Sequence, residues 1–538
     1  MLARPHFRYE EVANLIVGLV DSGTLSPGSR APSLREISKQ QHISLSTALQ
    51  AYRLLEDRGV LEVRPQSGHY VTSRATLRLE TPAISNPPRR AAPVAISATL
   101  LKLQQYSVDP RLVPLGGAIP SAELLAAARL DRFLARMART RGISYNTYTV
   151  PKGDLRLRQE IARRAVRWGA VLSPEDIVIT SGCMEAIALA LSIVTRPGDT
   201  VAIESPTYFG LLHSLEAFGL KALELPTDAA NGIDLSALKS VLERKGIKAC
   251  LFSSSFNNPL GCTMPNENKL KVLALLARYR VTLIEDDING DIYFGSQRPI
   301  PFIALDRFAN NIIYCSSFSK TVAPGYRIGW MATKTAAQMQ SALERKLAFT
   351  LSGPSLLQAA FAEFLSSGGY DNHLRRIRRV FESTIGQMSR AVERSFPKGT
   401  RVSRPAGSFV LWLELPKSVQ TAALFDEALK KGICFVPGEV FSASRRFGHC
   451  LRLSCGHGWD ERIEKGVMNL GKLACAAATR TRASFNKRVP MGHKRTSQDV
   501  RVMSALPPKA DIGCAHWDVR FGPKADILPL CSITCWVS

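Results

Sequence analysis

Residues 311–330, NIIYCSSFSKTVAPGYRIGW, place a lysine, Lys320, just beyond an apolar run. The run NIIYC has the length and content of a buried strand, and the residues after it turn small and polar. Four earlier runs have the same character: DIVIT (176–180), TVAIES (200–205), ACLFSSS (249–255) and VTLIEDD (281–287). Amphipathic stretches such as PNENKLKVLALLARYR lie between most of them. Apolar strands separated by helices predict a doubly wound α/β sheet, whose ligands collect beyond the C-terminal ends of the strands. Lys320 stands at such an end.

A lysine amine is a nucleophile only when neutral, and burial beside a carbonyl-bearing cofactor favours that form. Pyridoxal phosphate asks for such a lysine together with an acid for its ring nitrogen, a donor for its phenolate oxygen, an anion cradle and a stacking ring. Each has a candidate on a loop after a strand. Ser181, Gly182, Cys183 and Met184 open a helix whose first N–H groups form an anion site. Ser317 and Arg327 flank Lys320 and add a hydroxyl and a guanidinium for the same phosphate. Asp286 ends VTLIED, Asn258 lies in FNNPLG and Tyr208 in ESPTYFG. Each signal is generic alone; their order along the chain carries the weight.

The first 75 residues have a different pattern. RYEEVANLIVGLVD (8–21) sets Val12, Leu15, Ile16 and Leu19 on one helical face. After the breaker LSPGSRAPS, Ser33 is placed to cap LREISKQQ. A further helix, LSTALQAYRLLEDRG, begins near Ser44 and ends at Gly59. Two short strands, VLEVRP and GHYVTS, follow, joined through Gln66, Ser67 and Gly68. Three helices and a two-stranded wing predict a winged helix-turn-helix. Ser33, Arg35, Ser44, Ser46 and Thr47 would then meet phosphates and base edges, with Gly68 and His69 at the wing. Tyr52, Leu54 and Leu55 read as core.

At 538 residues, about three domains are expected. A net charge of +25 favours a polyanionic partner, nucleic acid first. The N-terminus lacks a signal-peptide core and no apolar run approaches a membrane span, so a cytoplasmic protein is expected. Eleven cysteines without paired spacing or accompanying histidines predict buried thiols and no metal site. Residues 76–111, rich in Pro, Ala and Ser, read as an interdomain linker. Residues 112–478 read as the α/β domain, with a smaller subdomain from about 360. Residues 479–538, with the near-duplicates PPKADIGC and GPKADILP, read as a poorly ordered tail.

Two family resemblances fit these patterns. Residues 22–71 resemble the GntR-type winged helix, through the segments SGTLSPGSRAPSLR and AYRLL and the closing GHYV, although Leu45 stands where relatives often carry arginine. Residues 112–475 resemble the class I aminotransferases of fold type I. The matching segments are Tyr148 to Gly153, SGCMEAI, SPTY, NNPLG, EDD, SFSKTVAPGYRIGW and CLRLSCG. That resemblance implies a homodimer with pyridoxal 5'-phosphate bound by Lys320 as a Schiff base. Tyr148 would reach the phosphate of the neighbouring subunit, and Arg452 would hold the carboxylate of an amino-acid ligand. Relatives usually have tyrosine three residues after the aspartate; here Asn289 takes that place as the cofactor donor.

Together the segments resemble the MocR-like regulators. The resemblance implies a transcriptional regulator of double-stranded operator DNA that senses pyridoxal phosphate or an amino compound through an aldimine. A catalytically active aminotransferase with a fused DNA-binding domain, and a binding module that no longer holds cofactor, are the alternatives.

Overall fold

In a computed structural model, which describes residues 8–488 apart from 22–23, 27, 58–59, 65–66, 72–78, 142–144 and 309–310, the N-terminal helices close on a small core of their own. Helix α1 (Arg8–Asp21) buries Val12, Ala13, Ile16 and Val20. Leu15, expected on that face, is 40% exposed, because at 100° per residue it falls beside the Val12–Ile16–Val20 line. Helix α2 (Leu34–Gln40) starts in a reciprocal cap. The Glu36 N–H donates to Ser33 Oγ at 3.2 Å and the Ser33 N–H to the Glu36 carboxylate at 2.6 Å, an arrangement worth about 1 kcal/mol. Helix α3 (Leu45–Asp57) buries Ala48, Ala51, Tyr52 and Leu55, and Tyr52 Oη donates to the Pro32 carbonyl at 2.6 Å. Strands β1 (Leu61–Arg64) and β2 (Gly68–Val71) pair antiparallel as the wing.

Farther along come β3 (Ala92–Pro93) and α4 (Ser97–Ser107). The large sheet takes β4 (Ile177–Thr180), β5 (Thr200–Ser205), β6 (Lys221–Asp228), β7 (Gly232–Ile233), β8 (Ala249–Phe252), β9 (Thr282–Asp286), β10 (Ile312–Ser317) and β11 (Gly329–Ala332). Helix α5 (Cys183–Val194) follows β4. The strand order is β3-β6-β5-β8-β9-β10-β11-β4, with β7 on β6. Strands β6, β5, β8, β9 and β10 run parallel, and β11 is antiparallel to both its neighbours. All five predicted strands are present. Strands β6, β7 and β11 were not predicted: β6 mixes polar and apolar residues, β7 has only two residues, and β11 begins inside the SSFSKTVAPGYRIGW stretch.

A second, four-stranded antiparallel sheet follows the long helix α6 (Gly369–Ser395). It contains β12 (Arg401–Val402), β13 (Val410–Glu414), β14 (Val436–Pro437) and β15 (Cys450–Ser454), in the order β12-β13-β15-β14. The last helix, α7 (Glu461–Arg488), runs past 478. The remainder of the predicted tail lies outside the described residues.

The stretch expected to be a linker is the main correction to the architecture. Within 76–111, β3 extends the large sheet and α4 buries Leu100 and Leu103. The N–H groups of Ile96 and Ser97 donate to the Glu216 carboxylate at 2.8 and 3.1 Å, fixing the start of α4. The stretch is rich in Pro, Ala and Ser and poor in aromatics, but its larger apolar residues are spaced to bury against the effector domain.

Candidate functional site

Lys320 follows β10 by three residues, and its Nζ donates to the Ala118 carbonyl at 2.7 Å. Burial, reinforced by Arg452 and Arg327 nearby, pushes the amine down from its ordinary 10.5 to about 8. Below that pH the group is an ammonium facing two guanidiniums; above it, a neutral nucleophile. In the cofactor-free protein, labelling of Lys320 by an amine-reactive reagent is therefore expected to rise with a midpoint near pH 8. A midpoint above pH 10, as for a solvated lysine, would contradict this environment.

The cavity beside Lys320 has a volume of about 390 Å³. Asp286, Tyr208, Asn258, Asn289, Arg327 and Arg452 all line it. Successive strand residues face opposite ways, which separates the two acids at the end of β9. Asp286 faces the cavity, where its carboxylate accepts from the Ile288 N–H at 3.2 Å and from the Cys183 thiol and Ser253 hydroxyl at 3.4 Å. Burial raises its pKa to about 6. Asp287 points away, paired to Arg298 and accepting from Tyr314 Oη at 2.8 Å. It is a structural ion pair.

Two cationic ends define the cavity. Helix α5 is capped by Gly182 with no side-chain cap, leaving its first N–H groups to a ligand. Arg327 lies against this turn, its Nη2 donating to the Ser181 carbonyl at 2.6 Å. Gly182 has φ +89°, and a Cβ there would collide with the Arg327 guanidinium; glycine is required on both counts. At the other end Arg452, on β15, is 1% exposed. Its Nη1 donates to Asn258 Oδ1 at 3.2 Å and its Nη2 to the Gly116 carbonyl, while Nε has no partner among the described residues. Burial lowers its pKa to about 10, so it remains a cation at neutral pH.

These features fit pyridoxal phosphate and an amino acid: an amine held near neutrality, a buried acid, an open helix N-terminus with a guanidinium, and a buried cation with an orphaned N–H. Burial raises the phenol pKa of Tyr208, whose ring borders the cavity beside Phe209.

One expected cofactor residue, Ser317, is placed differently. Ser317 lies outside this cavity; its Oγ accepts from the Ser319 N–H at 3.1 Å, and Ser319, two residues on, faces the cavity and Arg327 instead. The reason is the end of β10 at Ser317: in a continued strand the two serines would share a face, but the chain turns there and only Ser319 reaches the cavity. Asn289 lines the cavity as expected; its Nδ2 donates one hydrogen to the Phe256 carbonyl at 3.0 Å and keeps a second amide hydrogen. Tyr148, expected to serve the neighbouring subunit's site and not its own, is 84% exposed and does not line this cavity. Sequence reasoning missed the carbonyls of Gly116 and Ala118, for which the LGGA segment was the available sign. It also missed the apolar wall supplied by Leu100, Leu103 and Val108 of the supposed linker.

In the N-terminal head, Ser33 is the cap of α2 and Arg35 is exposed on its first turn. Ser44 Oγ lies 2.8 Å from the hydroxyls of both Ser46 and Thr47 and accepts from the Thr47 N–H. Gly68 has φ +106° and packs against the Arg30 side chain, a second head arginine that sequence reasoning missed. His69 departs from expectation. Its ring packs edge-on to Tyr52 and pairs with Glu56 at 2.8 Å, so it is turned into the head and not toward a groove.

Among the described residues no helix is long and apolar enough to cross a membrane, and no cluster of metal-ligating side chains occurs.

Comparison with known proteins agrees with both parts. The profile of the family "Aminotransferase class I and II" matches residues 121–470, and that of "Bacterial regulatory proteins, gntR family" matches residues 8–71. YdcR of Escherichia coli, an HTH-type transcriptional regulator by name, is 39% identical over 87% of this chain and 98% of its own. LysN, the α-aminoadipate aminotransferase of Thermus thermophilus, solved with N-(5'-phosphopyridoxyl)-L-leucine, superposes with a TM-score of 0.66 at 29% identity. The match covers 71% of this chain and 95% of that enzyme. The kynurenine aminotransferase of Pyrococcus horikoshii, solved with PMP, gives 0.65 at 26% identity over 72% and 95%.

Proposed function

The chain belongs to the MocR-like regulators, in which a gntR-type head is joined to a class I aminotransferase domain, and from that premise we propose that pyridoxal phosphate and an amino compound occupy the Lys320 cavity and set the affinity of the head for operator DNA. When bound, the cofactor supplies an aldehyde that condenses with primary amines. Lys320 holds it, Arg327 and the start of α5 bind its phosphate, Asp286 holds the proton of its ring nitrogen, and Tyr208 stacks on it. Arg452 takes the carboxylate of the amino compound. In a homodimer in the cytoplasm, Tyr148 reaches the phosphate of the neighbouring copy.

The observation that carries this reading is the convergence of Lys320, Asp286, Arg327 and Arg452 on one cavity walled by α4. Residues 97–107 are packed on the effector domain just after β3 in the chain, so a ligand that touches α4 touches the part of that domain nearest the head in sequence. A ligand shifts the DNA-binding state only as far as it prefers one arrangement over the other.

The same wall defines the side chain that fits. Beyond the four charged groups already assigned, the cavity is bounded mainly by apolar residues such as Leu100, Ile119, Met184, Phe209 and Val436. A spectroscopic titration of the cofactor-loaded protein is expected to show leucine or methionine binding at least about tenfold tighter than aspartate or lysine, since a second charge would be buried unpaired. Equal affinities for apolar and charged amino acids would overturn the assignment.

A further inference from the structure

The N-terminal turn of α3 presents an apolar stripe where a polar one is expected. Leu45 is 54% exposed and Leu49, one turn on, 37%. The hydroxyls around them are turned to each other: Ser44 is bonded to both Ser46 and Thr47. The leucines are therefore the groups this turn offers outward. Exposed Ser46, Gln50 and Arg53 adjoin the stripe, and Arg35 and Lys39 are exposed on α2.

In a helix-turn-helix the second helix enters the major groove with its first turns against the base edges. The apolar feature of that groove is the 5-methyl group of thymine. We propose that Leu45 and Leu49 read thymine methyl groups in the operator, with the surrounding cations on phosphates. The inference rests on the DNA-binding reading of the head. Charge complementarity favours DNA over a protein partner, since exposed Arg53 borders the stripe on α3 and exposed Arg35 and Lys39 lie on α2, the helix packed against α3.

The spacing makes the proposal specific. Four residues of helix advance about 6 Å, and base pairs stack about 3.4 Å apart. The two methyl groups should lie one or two base pairs apart, on either strand, in each half-site.

The test uses full-length protein and duplexes that it selects from a random library. Thymines at that spacing are expected, and replacing one with deoxyuridine, which removes only the methyl, should weaken binding about fourfold, the effect of burying one methyl group. Leu45→Ala should abolish the penalty at one of the two positions while leaving the salt dependence unchanged, because no phosphate contact is lost. Leu45→Arg should shift that position toward guanine. Equal binding of thymine and deoxyuridine duplexes overturns the proposal, as does an undiminished penalty in Leu45→Ala. A change in oligomeric state in Leu45→Ala without a methyl effect also overturns it, assigning the stripe to contact between copies. Failure to select any duplex overturns the DNA-binding reading and this proposal with it, whereas selection without a methyl effect overturns this proposal alone.

Discussion

Replacing Lys320 with alanine is expected to abolish the visible absorbance that the wild-type protein acquires on mixing with pyridoxal phosphate. Among the described residues no other lysine lines the cavity. Of the other deeply buried lysines, Lys269 donates to the Ile300 carbonyl and Lys346 pairs with Glu185, and neither lines the cavity. The loss should be complete for the covalent signal and partial for affinity, since Arg327 and the start of α5 still offer a phosphate site. The variant should fold at least as well as the wild type. The substitution removes a cation placed near Arg452 and Arg327, whose field already pushes the amine toward neutrality. Equilibrium dialysis of the variant alongside its spectrum separates the two effects. An undiminished band in Lys320→Ala would assign the chemistry to another amine.

Arg452→Met is the second large effect. The guanidinium is buried, bonded through its two Nη groups to Asn258 and to the Gly116 carbonyl, and flanked by the rings of Phe209 and Phe441. Its unpartnered Nε is the strongest sign that an anion completes the site. Methionine keeps the contact with the rings but offers no donor. Binding of an α-amino acid to the cofactor-loaded variant is expected to weaken by about 2–5 kcal/mol, the range for truncating one partner of a buried charge pair. The amine lacking the carboxylate should bind both proteins alike. Since an unfilled buried cation is itself costly, the unliganded variant should lose little stability. Calorimetry with an apolar amino acid and its decarboxylated amine provides the comparison; an equal loss for both would show that Arg452 shapes the cavity without holding a carboxylate.

How far the sequence reached depends on what each residue's signal reports. Lys320 and Asp286 were legible because strand ends place residues on a predictable face, and the five strands that carry the site are continuous apolar runs. Strand β11 was hidden because it has only four residues and begins within four of the Pro324-Gly325 turn, too short a run for a strand pattern to stand out from the lysine loop. Ser317 and Ser319 could not be told apart: they flank Phe318 where the strand's alternation stops, and only the turn decides which hydroxyl enters the cavity. His69 looked like a wing-tip contact because exposure cannot be read from so short a strand; the ring finds Tyr52 and Glu56. The linker was misjudged for a different reason. Its proline and alanine content is that of an extended connector, but Glu216, far along the chain, pins the start of α4. No local pattern contains that contact.

The coupling between cavity and head is tested most directly by the affinity of the full-length protein for a duplex that it selects, measured with and without pyridoxal phosphate and an apolar amino acid, in wild type and in Lys320→Ala. Regulation through the cavity requires a coupling of about 1–3 kcal/mol. The expected result is a change of about fivefold or more in the wild-type dissociation constant on adding both ligands, and none in the variant. The same dissociation constant in all four conditions, with the cofactor demonstrably bound in the wild type, would contradict it.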